Sequence, residues 1–379
     1  IAAVTGTNGK TSTAVFTQDI WEALGHKSVS IGTLGVRGGG MDRDGTHTTP
    51  DPAALHALLA EMESAGVTHA AMEASSHGLD QYRLDGVHLK AAAFTNLTRD
   101  HLDYHGTMEA YKLAKLRLFT EVLLPGGLAV LNADVPEFAE FHEATLKAGR
   151  KVVSFGKNAS DIKLLSAEPV SEGQHIKVQV DGKTYDLTVP LIGSFQIYNL
   201  LCAAGLSMAP FAEIAPLLPA IKGVPGRMQA VPGHPKGAGV YVDYAHTPDA
   251  LENVLQAARP HTSGRLICLM GCGGDRDKGK RPLMGKAACA LADHVIVTDD
   301  NPRSEEPSAI RADILAGCTG SFEDVPGRAE AIRHGVSMLK AGDVLILAGK
   351  GHEQGQIFKD RTDPFDDADE ARKAIKELV

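Results

Sequence analysis

Short apolar runs alternate with helix-patterned segments along most of this chain, and this alternation is what most constrains its fold. Strand–helix–strand units of this kind build a mostly parallel sheet with helices packed on its faces. In the first half, the pattern predicts strands at residues 1–4, 28–31, 68–74 and 89–94, and helices at residues 11–24, 52–66 and 108–119. Residues 160–190 instead alternate polar and apolar side chains around an Asp181-Gly182 turn, which predicts an antiparallel excursion.

A second α/β segment begins after residues 222–226, where two glycines and a proline lie close together. It has predicted strands at residues 240–243, 266–270, 294–298 and 344–348, with helices following Thr247 and Gly279. We therefore predict two domains, since a domain commonly holds about 100–200 residues and the chain has 379. Residues 1–224 form a central P-loop-type, mostly parallel sheet domain with the antiparallel excursion, and residues 225–379 form a Rossmann-like α/β domain.

Composition excludes several classes of partner. A net charge of -9 argues against a nucleic acid held by a general basic surface. No run approaches the roughly 20 apolar residues that cross a bilayer, so membrane insertion is not expected. The five cysteines contain no CxxC pair and favour reduced thiols in a cytoplasmic protein over disulfides or a zinc site. We expect a monomer, and we expect further sequence before Ile1, which opens directly on a predicted core strand.

A glycine-rich loop, TGTNGKT at residues 5–11, joins the first predicted strand to the first predicted helix. Its glycines let successive backbone N–H groups converge on phosphate oxygens, and the helix N-terminus adds a positive dipole. Lys10 adds a charge, and the Thr11 hydroxyl is suited to bind magnesium. Val4 stands where the strict pattern has glycine, so the prediction of nucleotide binding depends on the strand–loop–helix context. The alternative is a glycine-rich turn with a solvated lysine.

Polar residues also follow two other predicted strands. Glu73 ends one strand, and the run at residues 95–101, which closes on His101, follows the next. Ligand groups in parallel α/β sheets lie just past the carboxyl ends of the strands. One carboxylate with Thr11 is a sufficient protein contribution to a magnesium site, because that ion keeps waters and phosphate oxygens as ligands. Taken alone, Glu73 could be the carboxylate of a helix cap and His101 a hydrogen-bonded core histidine. Two polar runs at the ends of two strands of one sheet instead favour a ligand site.

Seven motifs occur together in one order: GTNGKT (6–11), EASSHGL (73–79), NLTRDHLDYH (96–105), DYAHTP (243–248), GCGGDRD (271–277), DDNPR (299–303) and GKGHE (349–353). With these motifs the chain resembles the Mur ligase family over nearly its whole length, and within it the branch that adds meso-diaminopimelate. That family has an N-terminal module for a uridine nucleotide, a central module for ATP and a C-terminal Rossmann-like module for the incoming amino acid. This chain is similar to the last two.

The resemblance implies a role for each matching residue. It implies catalytic roles for Lys10, Glu73, His101 and Lys115, of which Lys115 matches a lysine that becomes carbamylated. It implies ATP contacts for Thr7, Asn8, Gly9, Lys10, Thr11, Asn199, Arg227 and Asp243, and two Mg²⁺ ions held with Thr11, Glu73, His101 and carbamylated Lys115. It implies contacts with the UDP-muramoyl-peptide for Thr48, Thr49, Ser75, Gln81 and Arg83. It implies contacts with diaminopimelate for Arg276, Asp300, Asn301, Pro302, Arg303, Gly349 and Glu353. Gln196 stands at a usual asparagine, so we expect no ligand contact there.

The reaction that the resemblance implies is ATP-driven amide formation in the synthesis of peptidoglycan precursors. The acceptor would be UDP-N-acetylmuramoyl-L-alanyl-D-glutamate, whose terminal carboxylate takes the γ-phosphate and forms an acyl phosphate. The amine of meso-diaminopimelate would then displace phosphate. Such a reaction requires positioning and charge neutralisation, which Lys10 and two magnesium ions would supply. Arg303, on a turn after Pro302, is the expected partner of the second carboxylate of diaminopimelate, with a surface arginine as the alternative.

Other functions stay open at the level of sequence. Within the same superfamily, the chain could be an L-lysine-adding ligase or a folylpolyglutamate synthetase-like ligase, and the run at residues 300–303 argues against both. From another class, it could be a P-loop phosphotransferase or nucleotide switch without ligase activity, or a non-catalytic nucleotide-binding scaffold. ATP hydrolysis that depends on both an acceptor carboxylate and an amine would distinguish a ligase from these.

Overall fold

The computed structural model describes residues 1–45, 47–170 and 173–378. The chain divides into two compact units, Ile1–Lys222 and Gly223–Val379. Each unit is an α/β structure with its own main sheet, as the alternation of apolar runs and helical patterns predicts. No helix in the described part of the chain is long and apolar enough to cross a membrane.

The first unit is built on one ten-stranded sheet. Its strands are β1 (Ala2–Thr5), β2 (Ser28–Gly32), β3 (Gly35–Arg37), β4 (His69–Glu73), β5 (Leu89–Phe94), β6 (Leu123–Asn132), β7 (Lys151–Gly156), β8 (Ile162–Val170), β9 (Gly173–Val180) and β10 (Lys183–Val189). They lie in the order β10-β9-β8-β7-β6-β5-β1-β4-β2-β3. Because β1 is parallel to both neighbours, β4 and β5, the carboxyl ends of these three strands meet at one edge.

The far side of this sheet is antiparallel. Strands β8, β9 and β10 pair antiparallel in succession, and Asp181 (φ 51°) and Gly182 (φ 74°) form the turn between the last two. The predicted antiparallel excursion is therefore confirmed. It extends the main sheet rather than forming a separate one, because β8 also pairs with β7.

The helices of the first unit begin and end at residues that the sequence marks. They are α1 (Lys10–Ala23), α2 (Pro52–Ser64), α3 (Ser76–Asp80), α4 (Leu102–His105), α5 (Met108–Arg117), α6 (Phe138–Lys147), α7 (Ser194–Leu206) and α8 (Phe211–Ile214). Asp51 caps α2 by accepting the backbone N–H of Ala54, and Thr107 caps α5 by accepting that of Ala110. Gly25 follows α1 with φ 85°, a left-handed residue past the helix end.

The core of the first unit lies between its sheet and the helices that cover it. Strand β1 contributes four buried residues, and β4 and β5 are buried over nearly their whole length. Phe94 of β5 stacks on Phe141 of α6 with ring centroids 4.1 Å apart, and Phe119 packs edge-on against Phe141. Burial of such rings stabilises the sheet centre, so the loops at its edge extend from a rigid base.

The second unit has a six-stranded sheet and a separate two-stranded ribbon. Its strands are β11 (Gln229–Ala230), β12 (Gly239–Asp243), β13 (Leu266–Met270), β14 (His294–Val297), β15 (Phe322–Asp324), β16 (Val344–Ala348), β17 (Gly355–Ile357) and β18 (Thr362–Pro364). Its helices are α9 (Pro248–Ala258), α10 (Lys280–Leu291), α11 (Pro307–Leu315), α12 (Arg328–Ser337) and α13 (Asp367–Lys376). The order β11-β12-β16-β13-β14-β15 is parallel except at β11, so the carboxyl ends of β12, β16, β13 and β14 are adjacent.

Candidate active site

The phosphate loop of the first unit is held by hydrogen bonds to the loop that follows β5. The Thr7 N–H donates to the Asn96 carbonyl at 2.9 Å, and the Asn8 N–H donates to Asn96 Oδ1 at 2.9 Å. Gly9 precedes α1 with φ 87° and offers no side-chain cap. The first-turn N–H groups of α1 are therefore left to phosphate oxygens, as expected of a strand–loop–helix nucleotide site.

Glycine is required at position 9 for two reasons. Its φ of 87° lies in the left-handed region, which other residues adopt at a cost. A Cβ there would also collide with Asn199 Oδ1 on α7. Asn199, predicted to lie on the ATP side, is thus packed against the phosphate loop. Its Nδ2 donates to Gln196 Oε1 at 3.0 Å, so Gln196 positions Asn199 from within the protein.

Lys10 folds over its own loop. Its Nζ donates to the carbonyls of Gly6 at 2.9 Å and Thr7 at 2.8 Å, which holds the ammonium against the backbone of the loop. The next residue, Thr11, is buried, and its hydroxyl donates to Glu73 Oε1 at 2.9 Å. Lys10, with its predicted charge, and Thr11, with its predicted hydroxyl, are therefore adjacent in the first turn of α1.

A cluster of oxygen atoms surrounds Glu73 at the end of β4. Thr11 Oγ1 donates to Glu73 Oε1 at 2.9 Å, and the Thr33 N–H donates to the same oxygen at 2.8 Å. The Thr33 hydroxyl is 3.2 Å from that of Thr48. Gly32 makes room, because a Cβ there would overlap the Glu73 carboxylate. Since Mg²⁺ prefers oxygen ligands and keeps some from water and phosphate, this donor set fits that ion.

The described residues contain no metal site built from acidic, histidine and cysteine side chains alone. Within residues 1–45, 47–170 and 173–378, no three histidine, cysteine, aspartate or glutamate side chains are grouped to hold a metal ion. A site that combines one carboxylate with hydroxyls and substrate phosphates does not need such a group. The cluster around Glu73 is therefore suited to an ion that arrives with a nucleotide.

Lys115 is a buried cation on α5. Only 1% of the residue is exposed, and its Nζ donates to the Gly6 carbonyl at 3.0 Å while lying 4.3 Å from the Tyr111 ring centroid. Burial, and then the charge of Lys10, lower the pKa of the Lys115 amine well below its ordinary range, which Asp100 opposes. A neutral amine is the nucleophilic form of lysine, so this side chain is chemically distinct from a solvated one.

His101 stands at the N-terminus of the short helix α4 with φ 53°. Its ring packs edge-on against His77 at 4.8 Å, and its Nε2 lies 3.4 Å from Asp100 Oδ2. Burial lowers the pKa of His101, Asp100 raises it, and His77, Lys10 and Lys115 lower it further; the net direction is down. A lowered pKa favours the neutral imidazole, which is the form that binds a metal.

A cavity of about 280 Å³ brings half of the predicted first-unit residues together. Its lining consists of Lys10, His47, Thr48, Thr49, Ser75, Ser76, His77, Arg83, His101, Tyr111 and Lys115. The lining therefore joins residues assigned above to catalysis with residues assigned to the UDP-linked acceptor. Lysine and arginine nitrogens and several hydroxyls face the same space, which suits an anionic ligand such as a carboxylate or a phosphate.

The acceptor-side residues are linked by hydrogen bonds. Thr49 Oγ1 donates to the Glu73 carbonyl at 2.9 Å and accepts the Ser75 N–H at 3.0 Å. Arg83 Nη1 donates to the Thr49 carbonyl at 2.8 Å, and Arg83 Nε donates to Gln81 Oε1 at 3.0 Å. Ser75 also caps α3. Glu73 and Gln81 lie outside the cavity lining and instead hold residues that line it.

Two predicted ATP-side residues lie in the second unit. Asp243 ends β12, and its carboxylate accepts the N–H groups of Met228 at 2.7 Å and Ala245 at 2.9 Å. Burial raises the pKa of Asp243 to about 6, although Arg227 and the two N–H donors lower it. The Arg227 guanidinium lies 4.7 Å from the Tyr244 ring centroid. These contacts place Arg227 and Asp243 together at the start of the second unit.

A second cluster forms where β14 and β16 end. Asn301 Nδ2 donates to Glu353 Oε2 at 2.8 Å, and the Ile357 N–H donates to Asn301 Oδ1 at 3.0 Å. Asp300 is buried, and the Gln356 side chain donates to its carbonyl at 2.7 Å. Gly349 has φ 116°, and a Cβ there would stand 3.0 Å from Asp300 Oδ2. Four of the residues predicted to bind an amino acid are therefore neighbours.

The two predicted arginines differ in how they are held. Arg303 has φ 52°, its N–H donates to the Ile357 carbonyl at 3.0 Å, and its Nη1 donates to the Gly274 carbonyl at 2.8 Å. Its guanidinium is thus fixed between the turn after β14 and the loop after β13. Arg276 is exposed and donates to the carbonyl of its neighbour Asp275, at 3.1 Å. Arg303 is accordingly the preorganised arginine of the pair.

The sequence analysis missed several residues that support these clusters. Thr33 follows β2 without a motif, and Tyr111, whose hydroxyl is 3.1 Å from Thr7 Oγ1, lies inside a helix. Burial raises the pKa of Tyr111 to about 12. Arg328 is fully buried, donates to both Asp367 oxygens at 2.7 and 2.6 Å, and lies 3.9 Å from Asp300 Oδ2. Arg328 opens α12 and Asp367 opens α13, but no residue pattern in the sequence indicates that the two side chains pair.

These features define a class. The first unit has a strand–loop–helix phosphate site, a carboxylate beside it and a cavity lined by cations. The second unit has a mixed-charge cluster at the carboxyl ends of its Rossmann-like sheet. Together these are the parts of a nucleotide-dependent ligase. Family models agree: the Mur ligase middle domain matches residues 4–207, and the Mur ligase, glutamate ligase domain matches residues 226–351. The chain belongs to the Mur ligase family.

Individual relatives extend over the whole chain. The UDP-N-acetylmuramoyl-L-alanyl-D-glutamate--2,6-diaminopimelate ligase of Agrobacterium fabrum is 54% identical over 381 residues, which cover 100% of this chain and 78% of that protein. The ligase of the same name from Caulobacter vibrioides is 51% identical, with 99% of this chain and 79% of that protein covered.

Solved structures agree in fold. The structure of a UDP-N-acetylmuramoyl-L-alanyl-D-glutamate--2,6-diaminopimelate ligase has a TM-score of 0.74 at 36% identity and covers 100% of this chain and 78% of its own. Mycobacterium tuberculosis folylpolyglutamate synthase complexed with ADP has a TM-score of 0.73 at 19% identity, covering 92% and 87% of the two chains. The second likeness supports the fold alone.

Proposed function

We propose that this chain carries out the ATP-dependent addition of meso-diaminopimelate to UDP-N-acetylmuramoyl-L-alanyl-D-glutamate, in the synthesis of peptidoglycan precursors. The observation that carries the proposal is whole-chain identity of about 50% to ligases of that name, together with the two residue clusters described above. ATP is the nucleotide of the reaction. A monomeric state and a cytoplasmic location belong to the same proposal as predictions.

The first cluster supports phosphoryl transfer. The acceptor carboxylate would enter the cavity, where Arg83 and the hydroxyls of Thr48 and Ser75 offer donors. Its oxygen would attack the γ-phosphorus of ATP as the bond to ADP breaks, giving an acyl phosphate. Lys10, held against the phosphate loop, would offset the negative charge on the transferring group. This step requires positioning rather than covalent help from a side chain.

Magnesium would be held beside this loop by Thr11 and Glu73, with His101 and Lys115 as the candidates for a second ion. When bound, the ions would neutralise phosphate charge. The residues themselves prepare the place: Thr33 and Thr11 both donate to Glu73 Oε1, which fixes the position of the carboxylate. We propose that Lys115 is carbamylated, because burial lowers the pKa of its amine and so favours the neutral form, which is the form that adds carbon dioxide.

The second cluster supports amino-acid selection. Diaminopimelate differs from lysine by a second carboxylate, which must be desolvated when it enters a pocket. Arg303 is held by two hydrogen bonds at its backbone and side chain, so its guanidinium is ready to pair with that carboxylate. Glu353 and Asp300 supply negative charge for the ammonium at the same end of diaminopimelate as that carboxylate. The amine at the other end would displace phosphate from the acyl phosphate, losing a proton as the amide forms.

A product assay tests the proposal. The full chain is given ATP, magnesium and UDP-N-acetylmuramoyl-L-alanyl-D-glutamate with either diaminopimelate or L-lysine, and the UDP-linked product is identified by mass. We expect diaminopimelate to be preferred by roughly 10⁴–10⁵ in kcat/KM, because a site that pairs a charged group leaves its own groups unpaired when that group is missing. Equal use of lysine would contradict the proposed substrate, and no product with either amino acid would contradict the proposed reaction.

A further inference from the structure

Lys350 is a fully buried lysine to which the site described above assigns no role. Its exposure is 0%, although lysine is among the residues least often buried. It stands between Gly349 (φ 116°) and Gly351 (φ 56°), directly after β16. Two left-handed glycines reverse the chain on either side of it, so the Lys350 side chain is directed into the protein rather than toward solvent.

The Lys350 ammonium donates to two side chains, and both belong to the candidate amino-acid site. Nζ donates to Asn301 Oδ1 at 2.8 Å and to Glu353 Oε2 at 3.2 Å. A buried ammonium is stable only when it is paired and hydrogen-bonded, and these two oxygens supply that pairing. Lys350 therefore joins the turn after β14 to the loop after β16.

One consequence is a fixed orientation of the Asn301 amide. Its Oδ1 accepts from Lys350 Nζ and from the Ile357 N–H, while its Nδ2 donates to Glu353 Oε2. A flipped amide would set its NH₂ group against an ammonium and a backbone N–H, which are both donors. Without Lys350, Asn301 Oδ1 would keep one of its two donors, the Ile357 N–H, so the flipped amide would cost less free energy.

A second consequence concerns Glu353. Its Oε2 accepts from both Asn301 and Lys350, whereas no hydrogen bond within the described residues reaches Oε1. The Glu353 side chain is 34% exposed, against 0% for that of Lys350. The carboxylate is thus anchored by Oε2, whereas Oε1 belongs to a partly exposed side chain and keeps its capacity to accept from an ammonium group.

We infer that Lys350 is a positioning residue for the incoming amino acid: it fixes Asn301 and Glu353 so that Glu353 Oε1 receives an ammonium of diaminopimelate. The inference rests on the proposed function for the identity of that amino acid. Lys350 does not touch the substrate, because its nitrogen is enclosed and its hydrogen bonds go to Asn301 and Glu353. Its effect is therefore confined to the binding of the amino acid and leaves the phosphate loop of the other unit unchanged.

The test is steady-state kinetics of the full chain carrying Lys350→Met, which keeps the length of the side chain and removes the charge. We expect KM for diaminopimelate to rise roughly 10- to 100-fold, the effect of leaving buried polar groups unpaired, while KM for ATP stays within about twofold. Lys376→Met, which removes an exposed lysine of α13 in the same unit, serves as the matched control and should change neither constant.

A double-mutant cycle distinguishes positioning from other roles. If Lys350 acts through Glu353, Lys350→Met should add little to the rise in KM that Glu353→Gln causes alone. Additive effects would show direct contact with the substrate and overturn the inference. An equal loss with all substrates, accompanied by a lower melting temperature, would show a purely structural role and also overturn it. Failure of the unaltered chain to use diaminopimelate would instead refute the proposed function, so the two failures are distinguishable.

Should Lys350→Met give no measurable turnover, binding of diaminopimelate to the folded variant by calorimetry replaces the kinetics. Near-native far-ultraviolet circular dichroism establishes folding, and ATP affinity reports on the other unit. Weakened amino-acid affinity with native ATP affinity supports the inference. Unchanged affinity for diaminopimelate refutes it.

Discussion

Lys115 shows how burial changes the chemistry of a side chain. On sequence spacing alone, a lysine in a helix such as α5 is solvated, and only the family resemblance indicates otherwise. In the structure it is 1% exposed and its amine has a pKa well below the ordinary 10.5, first through burial and then through Lys10. Lys112 on the same helix is the opposite case, because Glu140 and Glu109 raise its pKa.

We predict that Lys115, and not Lys112, takes up carbon dioxide as a carbamate. The physical reason is that the neutral amine is the reactive form: burial lowers the pKa of Lys115 and so favours that form, whereas Glu140 and Glu109 raise the pKa of Lys112 and favour the charged form. Nuclear magnetic resonance of the protein in isotope-labelled bicarbonate should show a carbamate carbon signal that Lys115→Arg abolishes. Lys112→Arg is the matched control and should keep the signal. A spectrum without a carbamate in the unaltered protein, at saturating nucleotide and magnesium, would refute this prediction.

Arg303 is the residue on which the choice of amino acid depends. We predict that Arg303→Ala lowers kcat/KM for diaminopimelate by a factor corresponding to about 2–5 kcal/mol, because a buried carboxylate would lose its hydrogen-bonded partner. Affinity for ATP should change little. Arg333→Ala, which removes an exposed arginine of α12 in the same unit, provides the control. A variant that still prefers diaminopimelate over lysine as strongly as the unaltered chain would show that another group binds the second carboxylate.

At the scale of residues, sequence reasoning located groups that chemistry makes conspicuous and missed those that act by packing. Lys10 follows a predicted strand, Glu73 ends one, and both carry charge, so their positions were predictable; the role of Arg303 was implied by the family resemblance. Thr33 and Lys350 were not, because a threonine after a strand and a lysine between glycines are ordinary patterns. Their importance lies in contacts with Glu73, Asn301 and Glu353 that only the folded chain brings about.

The first turn of α1 is the structural element on which nucleotide binding depends. Gly9→Ala should cost about 1–2 kcal/mol for the left-handed backbone alone, and more because the methyl group would collide with Asn199. We predict lower unfolding free energy in urea and weakened ATP binding. Gly25→Ala is a close control, since Gly25 has φ 85° but open space for 4 Å around the place where its methyl group would stand. Equal effects of the two changes on ATP affinity would contradict a role for the Asn199 contact.

A histidine–glutamate–histidine group joins β14, β15 and α12 in the second unit. Glu323 Oε1 accepts from His294 Nε2 at 3.0 Å and from His334 Nε2 at 2.8 Å. Burial raises the pKa of Glu323, but the two histidines outweigh it, so the net pKa lies below the ordinary 4.5. A carboxyl group with a depressed folded-state pKa contributes stability that is present above pH 4.5 and is lost as pH falls through the folded value.

From this sign we predict that Glu323→Gln makes the stability of the second unit less steeply dependent on pH below 4.5. Hydrogen exchange of the amides of β14 and β15, followed across acidic pH, measures the effect locally. Glu252→Gln, at an exposed glutamate of α9, should leave the pH dependence unchanged. A variant with the same acid dependence as the unaltered chain would show that Glu323 is not stabilised by its histidines.

Element boundaries were predictable where a side chain caps a helix or a glycine ends it. Asp51, Thr107 and Gly25 carry those signals, and the structure confirms them. The helix predicted to run to residue 119 instead ends at Arg117 and continues as a π-helical turn, Leu118–Val122. No local residue signals that change. It accompanies the packing of Phe119 against Phe141 of α6, which is a tertiary contact.

At the scale of the whole molecule, a ligase differs from a nucleotide switch in what its ATP turnover requires. We predict rapid, sustained ADP release only when the UDP-linked acceptor and diaminopimelate are both present. The acceptor alone should release at most about one ADP per active site, because the acyl phosphate then has no amine to consume it. A burst experiment with each substrate omitted in turn measures this. Sustained hydrolysis without acceptor or amine would favour a phosphotransferase or switch.

The position of β1 has a consequence for how the sheet is made. Val4 pairs with Glu73 on one side and with Ala93 on the other, so the earliest strand of this sheet to be synthesised is central in it. At roughly 5–20 residues per second, translation takes about 5–20 s to produce its second partner. Throughout that interval the apolar strand β1 lacks at least one of the two strands, β4 and β5, with which it pairs in the folded unit. The nascent chain is therefore expected to depend on a ribosome-bound chaperone until β5 has emerged.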